Sequence, residues 1–145
     1  MLDLNAVVKE VVIVDTKGKK HYLTGKNPEA QLQTIKIYES IELNTIAAEL
    51  MIVDTAVNMI AAIPIVGTET VTIKLQAPNI SDKEYEWEFV IYAIRNRIVS
   101  RNVQMYVLDL FSIEALRNET LRIGKVLTGT ADSIVNDILV NYLDT

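Results

Sequence analysis

Hydrophobic positions along this chain recur mostly at every second residue, the repeat of a half-buried β-strand. Val7–Asp15 is short and β-branched and reads as a strand. Lys17-Gly18-Lys19 is a turn in which Gly18 is free to take positive φ, and His21–Thr24 is a shorter second strand, so the pair predicts a hairpin. Gly25–Pro28 is a loop. Thr34–Ile41 predicts a strand with Ile35, Ile37 and Ile41 on one face, interrupted by Glu39. Asn44–Asp54 suits strand or helix by composition, and its place between strand-like segments favours a strand. Ala56–Ala62 contains Met and several Ala and predicts one or two helical turns, ended by Pro64, with a turn at Gly67. In Thr70–Gln76, Val71, Ile73 and Leu75 alternate with Thr70, Thr72, Lys74 and Gln76. Pro78-Asn79 and Ser81-Asp82 make the next loop.

Glu84–Arg95 carries the clearest pattern. Tyr85, Trp87, Phe89, Ile91 and Ala93 fall on one face, with Glu84, Glu86 and Glu88 on the other. The far end turns apolar on the outer face as well, through Val90, Tyr92 and Ile94, which predicts cover on both sides there. Asn96–Asn102 is a polar turn and Val103–Phe111 the antiparallel partner strand. Ser112–Asn118 predicts a short helical turn capped by Ser112, and Leu121–Val126 a final strand. Thr130–Leu143 is the one long helix, with Thr130 as N-cap, Asp132 in the first turn, and an apolar stripe of Ile134, Val135, Ile138, Leu139 and Tyr142 expected to dock on the strands. No repeat or linker divides the chain. The expected architecture is a single domain over 1–145, mainly β: an antiparallel β-barrel or sandwich with short helical pieces and a C-terminal helix, because closure hides strand edges.

Composition narrows the chemistry. With 145 residues, 50% hydrophobic and 23% charged, the chain is long enough for one core and unlike a disordered protein. There is no Cys and a single His, so disulfides, thiolate metal sites, thiol catalysis and any mechanism with two imidazoles are excluded. The net charge of −5 argues against a nucleic-acid footprint. The N-terminus has no basic leader, and the apolar stretch from Ile46 to Val66 holds Glu49, Asp54, Asn58 and Pro64, which would be costly in lipid. A soluble protein made inside the cell is expected, without a membrane partner.

Three groups of residues merit a chemical reading. Glu84, Glu86 and Glu88 are too far apart on one strand to cage a cation, and read either as a solvated face or as an acidic wall past which a polyanion slides. Arg95, Arg97 and Arg101, with Lys17, Lys19 and Lys20, lack the interleaved aromatics of single-strand binders and read as surface turns or as subunit contacts. Val90, Tyr92 and Ile94 join them as candidate subunit contacts. His21, beside a turn and without a second ligand, reads as a surface residue, and Ser112 as a cap rather than a nucleophile. No catalytic residue, metal site or cofactor is expected.

Five segments taken in order resemble the tail-hub (baseplate hub) proteins of contractile-tailed bacteriophages. They are Ile37-Tyr38-Glu39-Ser40-Ile41; Leu50–Ile63 with Asp54; Ile63-Pro64-Ile65-Val66-Gly67-Thr68-Glu69-Thr70-Val71-Thr72-Ile73; Tyr106-Val107-Leu108-Asp109-Leu110-Phe111-Ser112-Ile113-Glu114; and Gly129-Thr130-Ala131-Asp132-Ser133-Ile134-Val135. The likeness spans about Ile37 to Leu139 and rests on order and spacing. It implies a tail-tube-like barrel in a structural protein of the virion, one that joins the tail tube protein to the central spike protein in a ring through which DNA passes. Family rings are trimers with two barrels per subunit. This chain is shorter, so it is expected to be either the N-terminal part of a longer hub protein or a one-domain relative needing six copies. The alternative reading is a monomeric ligand-binding β-barrel; an enzyme ranks third.

Overall fold

A computed structural model describes residues 6–43, 45–55, 59–63, 65–77 and 83–143. Seven strands form one antiparallel sheet: β1 (Val7–Val14), β2 (Lys20–Tyr22), β3 (Gln31–Tyr38), β4 (Ala47–Asp54), β5 (Thr70–Gln76), β6 (Glu84–Ser100) and β7 (Val103–Ser112). Their spatial order is β2-β1-β5-β6-β7-β4-β3. The sheet curls into a half-barrel. Its curl is aided by register shifts at Lys9, Gln33 and Tyr92 and again before Ile98, because each bulge adds local twist.

Period two decides which side chains enter the core. Val11 and Ile13 of β1, Leu50 and Ile52 of β4, Val71 and Ile73 of β5, Phe89 and Ile91 of β6, and Leu108 and Leu110 of β7 are all buried on the concave face. Each such side chain contributes about 1.5–3 kcal/mol on leaving water. A single helical turn, α1 (Met59–Ala62), adds Met59 to this cluster, and Ile63 follows it. The buried Asp54 carboxylate at the end of β4 accepts the Met59 N–H, satisfying a donor at the turn's open end. Glu69, also buried, accepts N–H bonds from Val66, Gly67 and Thr68 at 2.9, 3.0 and 3.2 Å. Gly67 sits at φ +95°, so this loop needs glycine to present its amides to one carboxylate.

The strands differ from the sequence reading in several places. β3 begins three residues early, at Gln31 rather than Thr34, and ends at Tyr38; the bulge at Gln33 preserves Leu32, Ile35 and Ile37 on the inner side, while Ile41 lies beyond the strand and is fully exposed. β6 runs on to Ser100, so the expected polar turn over Asn96–Asn102 shrinks to Arg101 and Asn102. Leu121–Val126 forms no strand: it is exposed and irregular, with no ladder to join. The barrel is not closed by a ladder, since β2 and β3 are both edges. Asn44, Ala56–Asn58, Pro64 and the loop 78–82 lie outside the described residues.

His21 corrects the sequence reading most sharply. Rather than being on the surface, it is 1% exposed, with Nδ1 2.7 Å from Glu29 Oε2 and Nε2 3.3 Å from Asp15 Oδ2. It thereby ties the β1–β2 turn to the loop that leads into β3. The Lys19 backbone N–H, followed by His21 and the Lys17 N–H, holds the Asp15 carboxyl below its ordinary value against the opposing effect of burial.

Helix α2 (Ile113–Thr120) starts from Ser112, which takes the N-cap position but makes no side-chain capping bond. Helix α3 (Ala131–Ile138) runs on through a wider turn, Leu139–Leu143. It does not dock on the sheet as expected. None of its residues is fully buried, Val135 and Leu139 are exposed, and its continuation packs against α2. At its start the Thr130 side chain, ahead of local backbone N–H groups, holds the Asp132 carboxyl below its ordinary value.

Candidate interaction surface

The acidic, arginine and apolar candidates lie on β6 or at the tip of its hairpin with β7, while Lys17, Lys19 and Lys20 lie at the β1–β2 turn. The strand is shared out along its length. β5 pairs with Glu84–Val90, and β7 pairs with Phe89–Ser100, so the two ladders overlap only near Phe89 and Val90. Each half of β6 therefore keeps one edge unpaired among the described residues, on opposite sides of the strand.

The first half is acidic. Glu84, Glu86 and Glu88 are exposed on the convex face, as the alternation predicted. Glu86 lies 3.7 Å from Lys74, which also reaches Glu10 at 3.5 Å. Glu86, then Glu10, raises the Lys74 ammonium above its ordinary value. On the other face Tyr85 and Trp87 stack with centroids 5.9 Å apart, Trp87 half-buried and Tyr85 exposed rather than buried. On the concave side Leu75, the strand partner of Tyr85, lines a cleft of about 360 Å3. Its apolar lining comes from Ala6, Val8 and Leu75 on one flank and Leu32, Ile35 and Ile37 on the other, where β1 and β5 face β3 with no ladder between them.

The second half is basic, and a bulge rewrites its faces. Tyr92 is the extra residue between Ile91↔Leu110 and Ala93↔Asp109. Val90 on the near side is buried, Tyr92 is exposed and tilts onto Phe111 at 5.1 Å, and Ile94 pairs with the core residue Leu108. Val90, Tyr92 and Ile94 therefore do not form the continuous outer stripe that strict alternation implied. The same shift turns Arg95 onto the convex face. There its guanidinium chelates Asp109, which is 3% exposed, and reaches Glu49 at 2.8 Å. Asp109, then Glu49, pushes Arg95 well above its ordinary value. Arg95 is thus a fixed part of this chain's own outer face, an ion ladder continued by Lys36 on Glu49 at 3.7 Å. Sequence reasoning had offered it as a contact between subunits.

Beyond Arg95 the strand is open to solvent. Asn96, at the second bulge within β6, and Arg101, in the turn, take positive φ, at 52° and 43°. Arg97 lies against Gln104 at 2.9 Å, and Arg101 stands at the turn, both exposed. Ile98, Val99 and Val103 are exposed beside them, Ile98 and Val99 at 56% and 60%. Clusters of large exposed apolar side chains of this kind mark contact surfaces.

Elsewhere the described residues offer less chemistry. No three His, Asp or Glu side chains converge on a site for a metal ion. The Tyr106 hydroxyl is buried without a hydrogen-bond partner among the described residues, and burial, with Asp54 adding to it, raises it above its ordinary value. No helix among the described residues is long and apolar enough to cross a membrane. Comparison of the sequence with family models and curated proteins, and of the fold with solved structures, returns no match.

Proposed function

We propose that this protein is a structural subunit of a bacteriophage baseplate hub, one that assembles with further copies into a ring joining the tail tube to the central spike around the DNA passage. The supporting observation is the β6–β7 hairpin, whose end offers arginine and aliphatic side chains to solvent on a strand well anchored in the core. The resemblance of the five ordered segments supplies the identity of the particle. Segments central to that resemblance have structural work: Asp54 seats α1, and Glu69 with Gly67 shapes the loop entering β5. An overall charge of −5 suits a protein beside a passing polyanion, because each phosphate contact with Lys or Arg would add affinity by counterion release.

Electron cryo-microscopy of the assembled particle tests this reading. Density for this chain in a ring between tube and spike is the expected result, and a lumen lined mainly by Lys and Arg contradicts it. Binding of the purified chain to duplex DNA at low salt is expected to be undetectable.

The cleft lined by Leu75 keeps the ligand-carrier reading as the competitor, since about 360 Å3 lies at the lower end of volumes that hold small molecules. A carrier stays monomeric when its ligand binds.

A further inference from the structure

We infer that the hairpin end of one copy docks on the acidic end of β6 in a second copy, against the exposed face that carries Glu84, Glu86 and Glu88. The inference rests on the ring reading above and names the surfaces that would build it.

Charge complementarity carries the argument. Tyr92–Met105 contains three arginines and no acid. Arg95 is consumed within the chain by Asp109 and Glu49, which leaves Arg97 and Arg101 at the tip. The other end of the same strand presents Glu84, Glu86 and Glu88, joined by Glu10 of β1, against Lys74 of β5 and Lys83, the last lying over the Tyr85 ring at 5.6 Å. Apolar surface accompanies both ends: Ile98, Val99 and Val103 at the tip, and the exposed ring of Tyr85 at the acidic end. Aliphatic burial would supply affinity, and the charges would set orientation and exclude like-with-like contacts.

The two surfaces cannot meet within one molecule. From Glu86 to Ile98 the strand spans about 40 Å at roughly 3.3 Å per residue, and it is held by β5 at one end and β7 at the other. The contact must therefore be between copies. It joins two different surfaces, so each copy keeps one of each kind free for the next, and such head-to-tail contacts close into rings when the rotation between copies allows. Glu84 and Glu86 then belong to the seam between subunits rather than to the wall of the passage.

A charge-reversal exchange on the full chain tests this. One variant carries Arg97→Glu with Arg101→Glu; the other carries Glu84→Arg with Glu86→Arg. All four positions are exposed, and far-UV circular dichroism confirms that each variant folds. Alone, each sets like charge against like and is expected to associate about a hundredfold more weakly than the unaltered chain. Mixed in equal amounts, each hairpin meets an opposite surface, and light scattering should show mass returning. Trp87, the only Trp, should shift its emission to shorter wavelength as the mass rises. Association of the unaltered chain that neither variant weakens, or that the mixture does not restore, overturns the inference and leaves the ring reading standing. Restored mass with unchanged Trp87 emission overturns the placement at the acidic end of β6, where Trp87 lies between Glu86 and Glu88. An unaltered chain that stays monomeric while the cleft takes up a fluorescent fatty acid overturns the ring reading itself.

Discussion

At the scale of single residues, each buried Asp, Glu or His among the described residues has a partner: Asp54 and Glu69 accept backbone N–H bonds, Asp109 holds Arg95, and His21 lies between two carboxylates. His21 bridges two carboxylates from different loops, so its loss leaves Asp15 and Glu29 without their shared partner. His21→Ala is expected to cost about 1–3 kcal/mol in a urea titration; a change near zero would show that the bridge adds nothing. Asp15 gives the sign of the acid response. Its folded value lies below the ordinary 3.8, so its contribution is fully present above that value and is lost as pH falls through the lower, folded one. Unfolding midpoints measured from pH 6 downward should therefore fall below about pH 4, and an Asp15→Asn variant should show a shallower fall. Gly67→Ala is expected to cost about 1–2 kcal/mol, because the residue must hold φ +95° while its new methyl would meet only the Ile91 carbonyl at an ordinary 3.8 Å. The turn at Gly67 is visible in sequence, but the partnership of His21 with Asp15 and Glu29 is not. A lone His beside lysines carries no sign of the two carboxylates that folding brings to it.

At the scale of elements, legibility followed how strictly each segment alternates. β5 and the first half of β6 alternate without interruption, and Val71, Ile73, Phe89 and Ile91 were placed inside on that pattern and are buried. The second half of β6 was misread because one extra residue, Tyr92, reverses the faces from Ala93 to Arg95 before a second shift restores them at Ile98, and a bulge leaves no mark in the pattern of apolar residues. β3 was shortened at its start for a related reason, with Gln33 breaking the alternation. Leu121–Val126 has strand-like composition but no neighbour with which to form a ladder. The terminal helix shows the opposite limit: its stripe is real, yet amphipathicity does not name the surface that covers it. Ile138→Ala should consequently cost less than about 1 kcal/mol in the isolated chain, whereas Ile73→Ala, fully buried in β5, should cost about 2–5 kcal/mol. Equal losses at the two positions would show that α3 packs as firmly as the sheet.

At the scale of the molecule, an antiparallel β class with a terminal helix was readable from the sequence, but the open seam was not. A closed or nearly closed barrel or sandwich was expected, because closure removes edges. Here β1 and β5 instead face β3 across an apolar cleft, and β6 is longer than either neighbour can cover. A sheet with unpaired edges and apolar residues at both ends of one strand invites association, which ties the unfinished side of the fold to the proposed role in a ring. If charge orients that association, added salt should weaken it, since the Debye length falls from about 8 Å at physiological ionic strength to about 3 Å at 1 M. Association that strengthens with salt would instead point to an apolar contact alone.

The central claim is that this chain builds an assembly from copies of itself. Sedimentation velocity of the unaltered protein over rising concentration at low salt measures that directly. The account predicts a discrete species at a small whole-number multiple of the protomer mass, growing at the expense of the monomer as concentration rises. A single monomer boundary at every concentration would contradict it.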